Sequence, residues 1–249
     1  MRTRCDARWI GSAPTAMSKP VAIVAAMRHE LQPLERHAKL RKLDGVYLYE
    51  LPSALLAIGG IGRNNGQRAA ELAVREASPK LVVSAGIAGA LTPELKAGDV
   101  VQIRNVIDEA TGEHYSTVGG DAVLVTSSRV AGKQSKVRLA SLYSASAVDM
   151  EGAAVAAVAR QCGIPFASVK AISDELDFPM PPLGKFVDAS GQFHVLGFAG
   201  FVAVRPKWWL PAIRLGKNTQ LAIRNLAEAL NHLIQQHTQT VTSGSRLHA

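Results

Sequence analysis

Residues 147–158 run Ala-Val-Asp-Met-Glu-Gly-Ala-Ala-Val-Ala-Ala-Val, and Lys170-Ala171-Ile172-Ser173-Asp174 follows after a break at Gly163 and Pro165. A strand of small residues runs into a carboxylate, and that carboxylate opens a very Ala-rich helix. A second strand then ends on another carboxylate. Two acids at two strand ends, joined by one helix, can meet in one pocket, as in open α/β sheets that hold small molecules beyond their strand ends.

The remaining segments extend this pattern. Val21–Ala26 and Leu81–Ser84 are short continuous apolar runs, as expected of strands buried on both faces. Arg28–Ala38 reads as a helix. Val46–Glu50 and Ser53–Ile58 read as strands around a Pro52 turn, and the Gly-rich turn 59–66 leads into a helix ending at Ser78-Pro79. Asp99–Asn105, Ala122–Thr126, Ala145–Asp149 and Phe166–Ile172 read as strands, with 106–115 irregular. Glu151–Cys162 reads as a helix capped by Gly163. Beyond Phe178 the prolines and glycines predict an extended loop. Residues 208–215 form a short aromatic, basic segment, and Asn218–Gln236 has the spacing of an amphipathic helix. Strands alternating with helices predict an α/β fold: a three-layer α/β/α domain around a central mixed, twisted sheet.

At 249 residues with 47% hydrophobic side chains, one large core is expected. The predicted organisation is a disordered lead over 1–18, a single domain over 19–238 and a frayed tail over 239–249. The lead lacks the apolar stretch of a secretory signal, and no run approaches the ~20 apolar residues of a membrane span. The net charge of +8 suggests nucleic acid or an anionic membrane at first sight. The basic residues are scattered over 28–42, 129–138 and 205–224, however, and nucleic-acid binding is not favoured. Cys5 and Cys162 have no metal-ligand spacing, and a cytoplasmic location is expected.

Two acids carry the candidate chemistry. Glu151, at a helix start, is expected to be kept ionised by the helix dipole and to accept hydrogen bonds from a vicinal diol such as a ribose. It reads equally as an ordinary helix-start acid. Asp174 ends a buried strand beside Ser173, with Glu175 and Asp177 following. Acids desolvated together raise one another's pKa, which suits a general acid; a solvated turn is the plainer reading.

These segments, with their flanks, resemble the nucleoside phosphorylase/nucleosidase superfamily, and most of all its 5'-methylthioadenosine/S-adenosylhomocysteine nucleosidases. The resemblance rests on five collinear stretches over about residues 20–177: 21–30, 59–65, 85–101, 148–156 and 172–177. It implies N-glycosidic hydrolysis that releases a purine, with no cofactor and no metal. Carried over by position, Asp174 would protonate the base at N7 with Ser173 orienting it. Glu151 would hold the ribose hydroxyls above Met150, and Glu30 would activate water. Gly86 and Ile87 would belong to the substrate pocket. The expected partners are a small-molecule nucleoside and a second copy of the chain, as a homodimer.

The departures are specific. Arg28 and His29 replace two acids of the family's first motif. Ile87 replaces a serine at the phosphate corner of the phosphorylases, which favours water over phosphate, although Arg28 or Arg63 could reach an anion. The aromatic that stacks on the base in the nucleosidases is absent from 126–130. Residues 178–216, with Phe198, Phe201, Arg205, Trp208, Trp209 and Arg214, look like the tail of the hopanoid-associated branch, which removes adenine from adenosylhopane. Peripheral membrane contact through 198–215 is one expectation, and a subunit interface another. Phosphorolysis and non-catalytic nucleoside binding stand as alternative functions.

Overall fold

The computed structural model describes residues 19–35, 38–188 and 190–244, with side chains as far as 237. The expected lead lies outside these residues, as does the end of the expected tail. One ten-stranded mixed sheet organises the chain. Its strands are β1 (Val21–Ala25), β2 (Lys39–Leu43), β3 (Val46–Glu50), β4 (Ala54–Ile58), β5 (Leu81–Ala90), β6 (Val100–Asp108), β7 (His114–Ser116), β8 (Ala122–Thr126), β9 (Ala147–Asp149) and β10 (Phe166–Asp174). The helices are α1 (Arg28–Leu31), α2 (Arg63–Ala77), α3 (Lys133–Tyr143), α4 (Gly152–Cys162), α5 (Val195–Ala203) and α6 (Trp209–Gly244).

The long strand β5 is the hub. Its first residues pair with β1 in parallel, its length pairs with β10 in parallel, and Gly89 and Ala90 pair with β9 antiparallel. Because β10 also pairs with β6, and β6 continues through β8 to β9, that half of the sheet closes on itself. The other half runs out from β1 through β4 and β3 to β2.

Helices cover both faces, as the three-layer expectation requires. Ala22 and Val24 of β1 pack with Ala69, Ala70 and Ala73 of α2 and Val155 of α4. Val21, Ile23 and Ala25 point the other way and pack with Ala222, Leu226 and Leu230 of α6. Alternation along a strand apolar on both faces is what a sheet buried between helices demands. Alanine on α2 and α4 lets those helices approach each other and the sheet closely.

The structure corrects several sequence expectations. The helix expected over 28–38 is a single turn, α1, followed by a 3-10 turn at Gln32–Leu34. Pro33 removes a backbone donor and stops the α-helix. Strand β2 is polar and largely exposed at the sheet edge, so it carries no apolar signal. The expected extended loop contains α5, and the aromatic segment 208–215 merges with the terminal helix into α6. Gly216 inside a helix costs about 1 kcal/mol relative to Ala. Burial of Leu226 and Leu230, at about 1.5–3 kcal/mol each, outweighs it. The tail expected from 239 falls partly on the last turns of α6 and partly outside the described residues.

Candidate active site

The carboxyl ends of β1, β9 and β10 meet the later part of β5 around a cavity of about 350 Å³. Of the seven residues singled out from the sequence, Glu30, Ile87, Met150, Glu151, Ser173 and Asp174 line it, and Gly86 sits behind Glu30.

Glu30 projects from α1 and is almost fully buried. One carboxylate oxygen, Oε2, accepts from the backbone N–H of Ala26 at 3.1 Å and of Met27 at 2.8 Å. The other, Oε1, accepts from the N–H of Ile87 at 2.9 Å. Three backbone donors fix this side chain at the cavity wall. Gly86 has φ +150, and a Cβ there would stand 2.9 Å from Glu30 Oε1. Its missing side chain makes room for the carboxylate.

Glu151 holds the N-cap position of α4 rather than lying within its first turn, and its side chain makes no cap hydrogen bond. Its Oε1 accepts from the N–H of Gly62 at 2.6 Å, which ties it to the turn ahead of α2. The expectation that a helix dipole keeps it ionised does not hold. Burial, and next the charge of Asp149, push its pKa up to about 8, against the opposing pull of the Gly62 N–H and Lys170. Asp149 itself lies beneath, accepting from Thr126 Oγ1 at 2.7 Å and the Gly152 N–H at 2.9 Å. It also pairs with the buried Lys170 at 2.8 Å. Lys170 further donates to Ser84 Oγ at 3.0 Å.

This titration has a sign. The folded chain holds the Glu151 proton to about pH 8, whereas the unfolded chain releases it near 4.5. The group's contribution to stability is therefore full below about 4.5 and is lost as pH rises to about 8. Glu151→Gln is expected to remove that slope. Denaturant unfolding of both proteins at several pH values checks it, and a wild-type-minus-variant difference that is flat with pH would contradict the raised value.

Asp174, at the end of β10, accepts from Ser173 Oγ at 2.6 Å through Oδ1. Its Oδ2 accepts from Lys136 Nζ. Lys136, on α3, is fully buried and also donates to the backbone carbonyls of Asp174, at 3.2 Å, and Glu175, at 2.7 Å. The acid cluster expected to raise Asp174 is thus replaced by an ion pair with a lysine that sequence reasoning missed. A Cβ on Gly89 would lie 3.0 Å from Lys136 Cε and 3.1 Å from Asp174 Oδ2, so this glycine admits the pair.

The two arginines considered as phosphate ligands are engaged elsewhere. Arg63 pairs with the buried Asp108. Arg28 pairs with Glu35 at 3.3 Å and lies over the Tyr49 ring. Neither lines the cavity.

Away from the carboxylates the cavity is mostly apolar, with His29, Arg129 and Thr219 as further polar lining residues. Met180, Leu183, Val187, Phe193, Phe198 and Leu215 wall it. Phe186 packs edge-on against Phe198 and Phe201, at 5.5 and 5.3 Å between ring centroids, which ties α5, with the cavity-lining Phe198, to the segment before it. Among the described residues no group of three His, Cys, Asp or Glu is placed to hold a metal, and no helix is long and apolar enough to cross a membrane.

Comparison with known proteins gives the same frame. The model of the phosphorylase superfamily matches residues 20–122 and 122–192. A 5'-methylthioadenosine/S-adenosylhomocysteine nucleosidase of Geobacillus kaustophilus is 30% identical over 172 residues, covering 53% of this chain and 69% of that protein. An aminodeoxyfutalosine nucleosidase of Campylobacter jejuni is 22% identical over 195 residues, covering 62% and 85%. In structure, the chain is similar to a Helicobacter pylori 5'-methylthioadenosine/S-adenosyl homocysteine nucleosidase in complex with a substituted pyrrolidin-3-ol. The TM-score is 0.69 at 18% identity, over 89% of this chain and 100% of that one. A Colwellia psychrerythraea nucleosidase in complex with adenine gives 0.68 at 17%, over 88% and 96%.

Proposed function

This chain belongs to the phosphorylase superfamily, and on that premise we propose that it hydrolyses the N-glycosidic bond of an adenosyl-type nucleoside and releases the purine. The observation that carries this reading is that Glu30, Glu151 and Asp174 all line one cavity. The named nucleosidase relatives support the same reaction class.

The mechanism follows from charge. Departure of the base leaves an oxocarbenium-like sugar, so the barrier falls when the base is protonated and the sugar cation is stabilised. Asp174 delivers a proton to N7 with Ser173 orienting its carboxyl. Glu151 hydrogen-bonds the ribose hydroxyls above Met150 through the carboxyl oxygen that does not accept from the Gly62 N–H. Glu30 takes a proton from the attacking water, and its carboxylate charge favours the sugar cation. Water rather than phosphate is the acceptor in this reading. The Ile87 side chain offers no hydrogen bond, its N–H is spent on Glu30, and a phosphate there would meet that carboxylate.

The apolar wall from Met180 to Leu215 favours a substrate whose 5' substituent is large and greasy, a thioether or an adenosyl lipid. Each buried CH₂ is worth about 0.8 kcal/mol. Lengthening a 5'-alkylthio chain from methyl to butyl is therefore expected to lower KM at least tenfold with little change in kcat. A KM that rises with chain length would remove the substituent assignment while leaving the chemistry intact.

Peripheral membrane contact belongs to the same reading. Leu196, Val204 and Leu210 are 89%, 74% and 79% exposed on and between α5 and α6, in the same stretch as Arg205, Lys207 and Arg214. Apolar residues interleaved with cations suit an anionic bilayer surface. Co-sedimentation with phosphatidylglycerol vesicles but not with phosphatidylcholine vesicles is the expected result, and no sedimentation with either would refute it. A homodimer is the assembly this reading carries, and sedimentation velocity at micromolar concentration distinguishes it from a monomer.

A further inference from the structure

We propose that Lys136 is the source of the proton that Asp174 delivers to the leaving base; this rests on the nucleosidase reading above. Three observations lead there. Lys136 is a fully buried lysine at the cavity whose charge is met by one carboxylate, that of Asp174. All three of its N–H bonds are committed, to Asp174 Oδ2, the Asp174 carbonyl and the Glu175 carbonyl. Both oxygens of Asp174 already accept hydrogen bonds, from Ser173 and from Lys136.

With Ser173 and Lys136 each donating to it, the Asp174 carboxyl is an acceptor on both of its oxygens. A general acid at this position therefore needs a proton supplied as the reaction proceeds. The Lys136 ammonium is bonded to the same carboxyl group and carries one. Because its own N–H bonds are all directed at protein acceptors, Lys136 does not touch the base. It acts through Asp174 and is a positioning residue.

The step balances. The C1'–N9 bond breaks and its electron pair stays on the purine. Asp174 takes a proton from Lys136 Nζ, which leaves Lys136 neutral, and gives it to N7, so that Asp174 returns to the carboxylate. Water adds to C1' and gives one proton to Glu30. Base and sugar leave uncharged, and exchange with solvent moves the proton from Glu30 back to Lys136. No other reactant is needed.

The test separates leaving groups. Purine must be protonated to leave, whereas 4-nitrophenolate leaves as a stable anion. For Lys136→Met the expected result is a fall of about 10²-fold or more in kcat for adenine release from methylthioadenosine. Release of nitrophenolate from 4-nitrophenyl riboside should fall less than tenfold. An unchanged kcat for adenine release, or an equal fall on both substrates, would overturn the proposal. Because that variant leaves Asp174 buried without its partner, the double variant Lys136→Met with Asp174→Asn is compared with Asp174→Asn alone. Equal adenine release by the two is expected if Lys136 acts only through Asp174, and a further tenfold loss in the double variant would overturn it. If wild-type protein releases no base from any nucleoside, it is the nucleosidase reading that fails, and the comparison of variants then bears on nothing else.

Discussion

Asp174→Asn is expected to lower adenine release by about 10²–10⁴-fold, the usual worth of a positioned general acid. The fold should survive the change. Asn can turn its carbonyl oxygen to Lys136 and its amide NH₂ to Ser173 Oγ, so both hydrogen bonds seen at Asp174 keep a partner. What it cannot do is pass a proton. Steady-state kcat for methylthioadenosine together with a thermal melt checks this. Turnover near wild type would take the acid role away from Asp174.

Glu30→Gln is expected to do comparable damage for a different reason. In the wild type both oxygens accept from backbone N–H groups, so the site has no place for an amide NH₂. Whichever way Gln turns, at least one buried N–H faces a donor, at a cost of about 1–3 kcal/mol in stability. The base for water is lost as well, for a fall in kcat of about 10²–10⁴-fold. Denaturant unfolding reads the first effect and kcat the second. A variant that keeps wild-type kcat would leave Glu30 a structural clamp for Ile87 and α1.

Much of this site was legible because its residues lie in short collinear motifs at strand ends. Glu151 and Asp174 line one cavity, as their places at strand ends implied, and Glu30, Met150 and Ser173 line it with them, as the family resemblance implied. Gly86 was legible as part of the site but not in its role, since the close approach of Glu30 is a three-dimensional fact. The ionisation of Glu151 was misread by weighing one effect alone. A helix N-terminus favours a carboxylate by about 0.3–1 kcal/mol. The rise from 4.5 to about 8 corresponds to on the order of 5 kcal/mol in the other direction.

Lys136 was not legible at all. It sits in the scattered basic stretch 129–138, and the helix inverts the usual pattern. Lys136 and Leu139 are buried while Val137 and Leu142 are exposed. Hydrophobic periodicity orients a helix by its apolar residues, and here the deciding contact is electrostatic and comes from a strand 38 residues away. Likewise α5, apolar all round and broken by Gly197 and Gly200, has no 3.6-residue stripe to find.

Hydrolysis with Glu30 as the base is the central claim, and the sugar product tests it most directly. Wild-type protein is incubated with methylthioadenosine, with and without inorganic phosphate, and the products are resolved by mass. The account predicts adenine and the free methylthioribose hemiacetal, at a rate that phosphate does not raise. Methylthioribose 1-phosphate as the main product, formed at a rate that increases with phosphate, would contradict it and make the chain a phosphorylase.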